Sequence, residues 1–409
     1  MAAKTIILLA TLDTKGQEIE YICSCIHERG HRALIVDAGL GEPVIRPDIS
    51  HAEVAVAGGS TLAVLQAHAD REEAAPVMSR GATEIITRLA GEGQAHAILS
   101  LGGTQGTTLC TAVMRALPYG FPKVMVSTMA SGNVSSWVGT KDITMMYSVT
   151  DIMGLNPFMR RILANAAGAA CGMAEVELPE SVRDRPLVAV TTVGITTQGA
   201  MTAVKVLEQS GYETIVFHAV GTGGRAMEDM MQQGLIGAVL DFSTIEVSNE
   251  MFHALLAGGP DRLTVAGSLG LPQVICPGAI EVLVFNEPET VPERFRDRRL
   301  VRHSPQITDV RLNSEEMAEV GKVVAQRLRA TTGDAVFLIP TAGYDSYAIR
   351  GGPFHDPPAD AAFVAELRRG APANVRIVAR ELDINAPAFA TEAAKTLIQL
   401  IESKTCKAG

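Results

Sequence analysis

The chain has 409 residues, of which 47% are hydrophobic, 4% aromatic and 20% charged, with a formal charge of −10. That length exceeds one ordinary core, so two domains are expected, and the acidic balance argues against a surface that coats nucleic acid. No apolar run reaches the roughly 20 residues of a membrane helix, and the N-terminus lacks the pattern of a signal peptide.

These features predict a cytoplasmic protein that does not enter the membrane. Its six cysteines, Cys23, Cys25, Cys110, Cys171, Cys276 and Cys406, show no paired CxxC spacing and read as reduced thiols.

Along the chain, short apolar runs alternate with amphipathic stretches. Residues 5–11, 32–39, 96–103 and 123–132 form one set, and 187–194, 213–224, 237–244, 271–278 and 335–343 another. Continuous apolar strands between helices mean parallel sheets covered on both faces. The expected fold class is α/β, with two Rossmann-like doubly wound parallel-sheet subdomains.

Displacing the numbering by 181, from Thr11 to Thr192, lays residues 10–38 over 191–219 without a gap. Gln17 then meets Gln198 and Gly30 meets Gly211, which reads as an internal duplication. The charged, proline-bearing stretch 174–186 is the expected linker. Residues 1–180 form the N-terminal nucleotide-binding subdomain on this reading, and 181–409 the C-terminal one. Arg294, Arg296, Arg298, Arg299 and Arg302 read as a solvated connection or a subunit contact. Beyond 303 the pattern predicts a helix over 313–330 capped at Asn313 or Ser314, a strand over 374–382 and a helix over 387–403.

Ligands of doubly wound sheets bind at the carboxyl ends of strands. Four polar loops of the first half fall there. One holds Thr11, Asp13 and Lys15, and the next Asp37, Gly39 and Gly41. The third runs Gly102, Gly103, Thr104, Gln105, Gly106, Thr107 and Thr108, and the fourth holds Ser127, Ser131 and Gly132. Glycines there let successive amides point at an anion, and a helix that starts directly afterwards adds its dipole. A phosphate or carboxylate cradle is the physical reading, although the third loop matches neither common phosphate-loop pattern.

Each candidate has a bland alternative. Asp37 is placed to accept ribose hydroxyls or to cap its own turn, and Lys15 to meet phosphate or to lie solvated. Asp142 reads as a magnesium ligand or as a structural loop residue. In the second half, Gly221–Met230 with Arg225 and Glu228, Asp241–Glu246 with Ser243 and Thr244, and Arg262 form either an acid–base set or a buried ion lattice. For phosphoryl or adenylyl transfer, Asp13, Lys15 and Glu246 are the catalytic candidates. The long polar stretches 303–311, 340–360 and 381–390 read as ordered loops, with Tyr344, Asp345, Ser346, His355 and Asp356 at a cleft or subunit seam. His218 and His303 read as structural.

Taken in order, ATLDTKGQE, VDAG, LGGTQGT, VSTMASG, YSVTDIMGLN, GTGGRAMED, DFSTIEV, GPDRL and GPFHDPPADAAF resemble the UPF0261 family. Its best-known relative is the ATP-binding N-terminal region of the tomato mosaic virus resistance protein Tm-1. The resemblance implies ATP with magnesium, a homodimer, and nucleotide-facing roles for Gly102–Thr108, Thr11–Lys15 and Ser127–Gly132. The chain departs from the family pattern at His303–Ser304–Pro305, at Asp383–Ile384–Asn385–Ala386 and at Glu281, which leaves any shared substrate open. The expected function is ATP binding, coupled or not to a small-molecule reaction. A non-catalytic nucleotide sensor or partner-binding module, or an enzyme acting on a phosphorylated metabolite, are the alternatives.

Overall fold

The structure is a computed structural model that describes residues 2–67, 71–177 and 185–408. The chain divides into two compact units, Met1–Glu180 and Ser181–Gly409. Most of the expected linker, residues 178–184, lies outside the described residues.

Five parallel strands build the first unit: β1 (Thr5–Ala10), β2 (Arg32–Asp37), β3 (Ala97–Gly102), β4 (Lys123–Ser127) and β5 (Thr144–Tyr147). Their order across the sheet is β2-β1-β3-β4-β5. Alternate residues of β1 feed opposite faces, as a pleated strand requires. Ile7 and Leu9 pack with Ile86, Val113 and Met114 on one side, and Ile6 and Leu8 with Ile19, Ile22 and Leu163 on the other. Both faces are dry, which is why these strands read as unbroken apolar runs.

The second unit contains β6 (Val188–Thr192), β7 (Thr214–His218), β8 (Ala238–Ser243), β9 (Gln273–Gly278), β10 (Val282–Phe285), β11 (Leu300–Ser304), β12 (Ile307–Arg311), β13 (Ala335–Pro340) and β14 (Val375–Arg380). Six of these form a parallel sheet ordered β7-β6-β8-β9-β13-β14. Its first five positions repeat the order of the first sheet. The 181-residue displacement also holds locally: Gly30 (φ +80°) and Gly211 (φ +82°) take the same left-handed turn after equivalent helices. That conformation is open to glycine at no steric cost.

Two features were not expected from the sequence. Strand β5 is short and half-exposed, and β10, β12 and β11 make a separate antiparallel sheet. The stretch 303–311, expected as a loop, is therefore mostly a hairpin arm. The Asn313 cap is present as a full capping box with Glu316, opening the helix Ser314–Leu328. Cys23, Cys25, Cys110, Cys171 and Cys276 are free thiols, and burial pushes the Cys110 thiol up to about 12. Among the described residues, no helix is long and apolar enough to cross a membrane.

Candidate functional site

In the first sheet the chain runs outward from β1 to β2 and then returns to β3 on the other side. The crevice at the carboxyl ends of β1 and β3 is therefore the topological switch point. Thr11 opens the helix Leu12–Glu28 at its β1 side. Asp37 is fully buried, and its Oδ1 accepts from the amides of Leu12 (3.0 Å) and Gly39 (2.8 Å). Its Oδ2 lies 3.3 Å from His51 Nδ1. Burial pushes this carboxyl up, while the two amides and His51 pull it down. Asp37 thus anchors the turn, and the ribose-binding reading gives way to the capping one.

The Thr11–Lys15 loop is also largely committed to its own fold. Thr11 and Thr14 hydroxyls share a 2.9 Å hydrogen bond. Lys15 Nζ donates to the Ile152 carbonyl, and Glu18 accepts from the Gly154 amide at 2.8 Å. The lysine expected at a phosphate is spent strapping residues 152–154 onto the helix. Asp13 Oδ2 accepts from the Gly41 amide (3.1 Å), whereas its Oδ1 is buried with no hydrogen-bond partner. A Cβ on Gly41 would lie 2.7 Å from Asp13 Oδ2, so the close approach of that loop requires glycine.

The β3 loop is different. The helix Thr104–Ala116 starts from Gly103, which offers no side-chain cap. Its first backbone bond runs from the Thr107 amide to Gly103 O at 2.8 Å, so the amides of Thr104, Gln105 and Gly106 precede the helical ladder. Thr104, Gln105 and Thr108 are exposed. Thr108 Oγ1 donates to Thr104 O (2.9 Å) and accepts from Trp137 Nε1 (3.1 Å). Thr107 is buried, sharing a 2.7 Å bond with the buried Ser127 hydroxyl, which also accepts from the Met129 amide. Thr107 and Ser127 therefore pin β4 against the helix instead of facing a ligand. Ser131 and Gly132 lie exposed in the following loop.

Beside Ser127 the backbone is strained. The Ser148 amide donates to Ser127 O at 3.1 Å, and Thr150 N reaches Ser148 O at 2.7 Å across Val149, whose φ is +65°. A β-branched residue in a left-handed three-residue turn is an outlier, and such strain gathers at functional rims.

Asp142 stands away from this rim. It pairs with Lys123 Nζ at 2.7 Å and accepts from the Gly120 amide at 2.9 Å, at the opposite end of β4. The Lys123 side chain is fully buried and also donates to Pro118 O and Phe121 O. The magnesium reading for Asp142 is thus corrected: a buried ammonium needs its carboxylate. Asp142→Ala should cost about 2 kcal/mol, which urea unfolding followed by the fluorescence of Trp137 checks. Among the described residues, no group of three or more His, Cys, Asp or Glu side chains is placed to hold a metal.

On the second unit's rim the loops close on themselves. Arg262 is buried and binds Asp241 through both terminal nitrogens (2.6 and 2.7 Å), Glu246 through Nε (2.7 Å) and Glu228 at 3.5 Å. Asp241 also accepts from Thr191 at 2.8 Å. Glu246 Oε1 accepts from the amides of Gly221 (2.6 Å) and Gly224 (3.0 Å). The Gly221–Gly224 turn is thus an anion cradle already filled by a side chain of its own unit, and a Cβ on Gly224 would overlap Glu246 Oε2. Burial pushes Glu228 up to about 7 against the pull of Arg262. Glu246, a catalytic candidate by sequence, is a fully enclosed structural acid, and the ion-lattice alternative is the one realised.

Comparison with known proteins bears on both units. The description "Uncharacterised protein family (UPF0261) N-terminal domain" matches residues 4–179, and the corresponding C-terminal domain matches 185–401. The chain belongs to the UPF0261 family. A UPF0261 protein of Clostridium tetani is 42% identical over 98% of this chain and 99% of its own length. The ToMV susceptible protein tm-1(GCR26) of Solanum lycopersicum is 32% identical over 73% of this chain, which spans 40% of that protein. Among solved structures, UDP-N-acetylglucosamine 2-epimerase from Rickettsia bellii is similar at 10% identity and a TM-score of 0.22, over 67% of this chain and 79% of that one.

This UPF0261 chain carries further buried acids that sequence reasoning left as loop residues or as a departure from pattern. Glu281 and Asp345 are fully buried, and both Glu281 oxygens and Asp345 Oδ2 have no donor. The Asp345 charge acts on Glu281. Asp345 Oδ1 accepts from the amides of Tyr347 (2.6 Å) and Ala348 (2.8 Å). Nearby Arg311 spends its nitrogens on Phe354 O, Leu312 O and Asp360. Tyr344 is buried, Ser346 exposed, and Asp356 caps the helix Pro357–Gly370. His355 Nδ1 lies 3.1 Å from Ala348 O, while His218 is exposed.

Proposed function

We propose that the first unit binds ATP, with the triphosphate on the uncapped amides of Thr104, Gln105 and Gly106. The observation that carries this reading is the contrast between two glycine turns. In the second unit a carboxylate of the chain fills the glycine turn, whereas Gly103 leaves the helix Thr104–Ala116 uncapped beside the switch point. The helix dipole and free N–H groups favour an anion there. The resemblance to the UPF0261 pattern supports ATP in particular.

Magnesium would arrive with the nucleotide and be held chiefly by phosphate oxygens and water. Asp13, with its unpartnered Oδ1, is the carboxylate of this rim that remains a candidate for such a shell. Pairing of two copies of the chain belongs to the same proposal, and light scattering at two concentrations checks it. Whether bound ATP is consumed is read by phosphate release in the presence of small carboxylates and sugar acids. Turnover makes the protein an enzyme, and binding alone makes it a sensor.

Gly103 has room for a side chain: a Cβ there would meet only Thr128 Oγ1, at 3.8 Å, within 4 Å. Its φ of −78° is open to any residue. Gly103→Val should therefore lower ATP affinity by about tenfold or more, equivalent to about 1.4 kcal/mol, while the thermal melt stays unchanged. Unchanged affinity in the folded variant would remove the loop from the site.

A further inference from the structure

A titratable cluster on the antiparallel sheet takes no part in the nucleotide reading. Strands β11 and β12 pair Arg302 with Thr308 and Ser304 with Ile307, so His303 is the extra residue of a β-bulge. Bulges re-aim a side chain out of the regular alternation. His303 Nδ1 lies 3.0 Å from the Tyr347 hydroxyl and 3.7 Å from Asp309 Oδ2. The Tyr347 ring packs perpendicular to buried Phe354, with centroids 5.6 Å apart, which fixes the hydroxyl. Asp309 is buried, whereas the His303 side chain is 46% exposed. His303 from β11, and Asp345 and Tyr347 from the loop after β13, are the titratable groups facing Asp309. Burial pushes Asp309 up to about 6; His303 opposes the rise and Asp345 adds to it.

An imidazole whose Nδ1 meets a hydroxyl and has a carboxylate 3.7 Å away, with much of the ring open, is an arrangement suited to a general base. The geometry points to His303, Asp309 and Tyr347 as a proton-transfer site for a small anion that carries an ionisable O–H. Arg302, next to His303 in sequence, and Arg350, three residues after Tyr347, are exposed. In the transfer the ligand's O–H bond breaks, its electron pair stays on oxygen, and a new N–H bond forms at His303 Nε2. The ionised Asp309 offsets the imidazolium charge.

Ring-labelled histidine NMR on the full chain tests this, with inorganic phosphate and acetate as probes. With carboxyl labelling, the Asp309 signal should titrate near pH 6, and His303→Gln should raise that midpoint, because the imidazolium that opposes the rise is gone. The His303 ring signal reports ligand binding. Phosphate, which keeps an O–H at neutral pH, should shift the signal saturably, and acetate, which does not, should shift it little. An Asp309 midpoint unmoved by His303→Gln overturns the coupling, and no response of the His303 signal to phosphate leaves a hairpin staple and overturns the site. An equal response to acetate overturns proton transfer. None of these outcomes depends on ATP, which is absent from these samples.

Discussion

Arg262→Met should unfold the second unit's central strands. The guanidinium is the cation at the centre of Asp241, Glu246 and Glu228, all of them buried. Methionine fills much of the volume but leaves three acids without their counter-charge. Breaking a buried pair by removing one partner costs about 3–5 kcal/mol, a large part of the total stability of a typical domain. Arg262→Lys should fall between, because an ammonium cannot reproduce the two-nitrogen grip on Asp241. The chain's one tryptophan, Trp137, is in the first unit, so its fluorescence misses this event. Amide hydrogen exchange in β8 and β9 reads it, and unchanged protection in Arg262→Met would refute the lattice as a structural element.

Glu281→Gln should stabilise the protein above neutral pH. Glu281 is buried beside Asp345, and burial together with the Asp345 charge pushes its carboxyl well above the usual range despite Arg311. A carboxyl raised in the folded state keeps its proton there while the unfolded chain gives it up at about pH 4.3. Its contribution is complete below that pH and is lost as the pH climbs towards the folded value, with about 1.4 kcal/mol for each unit of displacement. Asp309, Asp345 and Asp360, each pushed up to about 6 chiefly by burial, add losses between about pH 4 and pH 6. Glutamine resembles the protonated acid and still offers a donor towards Asp345. Thermal melts should match the parent at pH 4.5 and exceed it at pH 8. A variant weaker than the parent at both values would show that Glu281 is ionised in the fold.

The sequence reveals those features that local periodicity controls. Dry parallel strands such as Ile6–Leu9 and Val124–Val126 announce themselves as apolar runs, and Gly30 and Gly211 mark helix ends by a conformation that glycine takes easily. Strand β5 escapes because its apolar run is only Met145–Tyr147 at a half-exposed edge, and β11 because Arg302 and His303 resemble a solvated loop. The carboxyl-end rim is legible from topology, yet side-chain partners across it are not. Lys15 meets Ile152, Asp142 meets Lys123, and Arg262 meets Asp241 only after folding. Glycine-rich turns look alike in sequence, although one is filled by Glu246 and another is left uncapped. His303 looked structural because its bulge and the contact with Tyr347, 44 residues away, have no local signature.

A nucleotide is expected on the amides of residues 104–106. Calorimetric titration of the intact protein with ATP, with and without magnesium, tests it most directly, with AMP and inorganic phosphate as parallel titrants. Saturable, one-site ATP binding that neither AMP nor phosphate matches is the expected result. Absence of heat with ATP, or displacement of bound ATP by phosphate at equal concentration, would contradict that assignment.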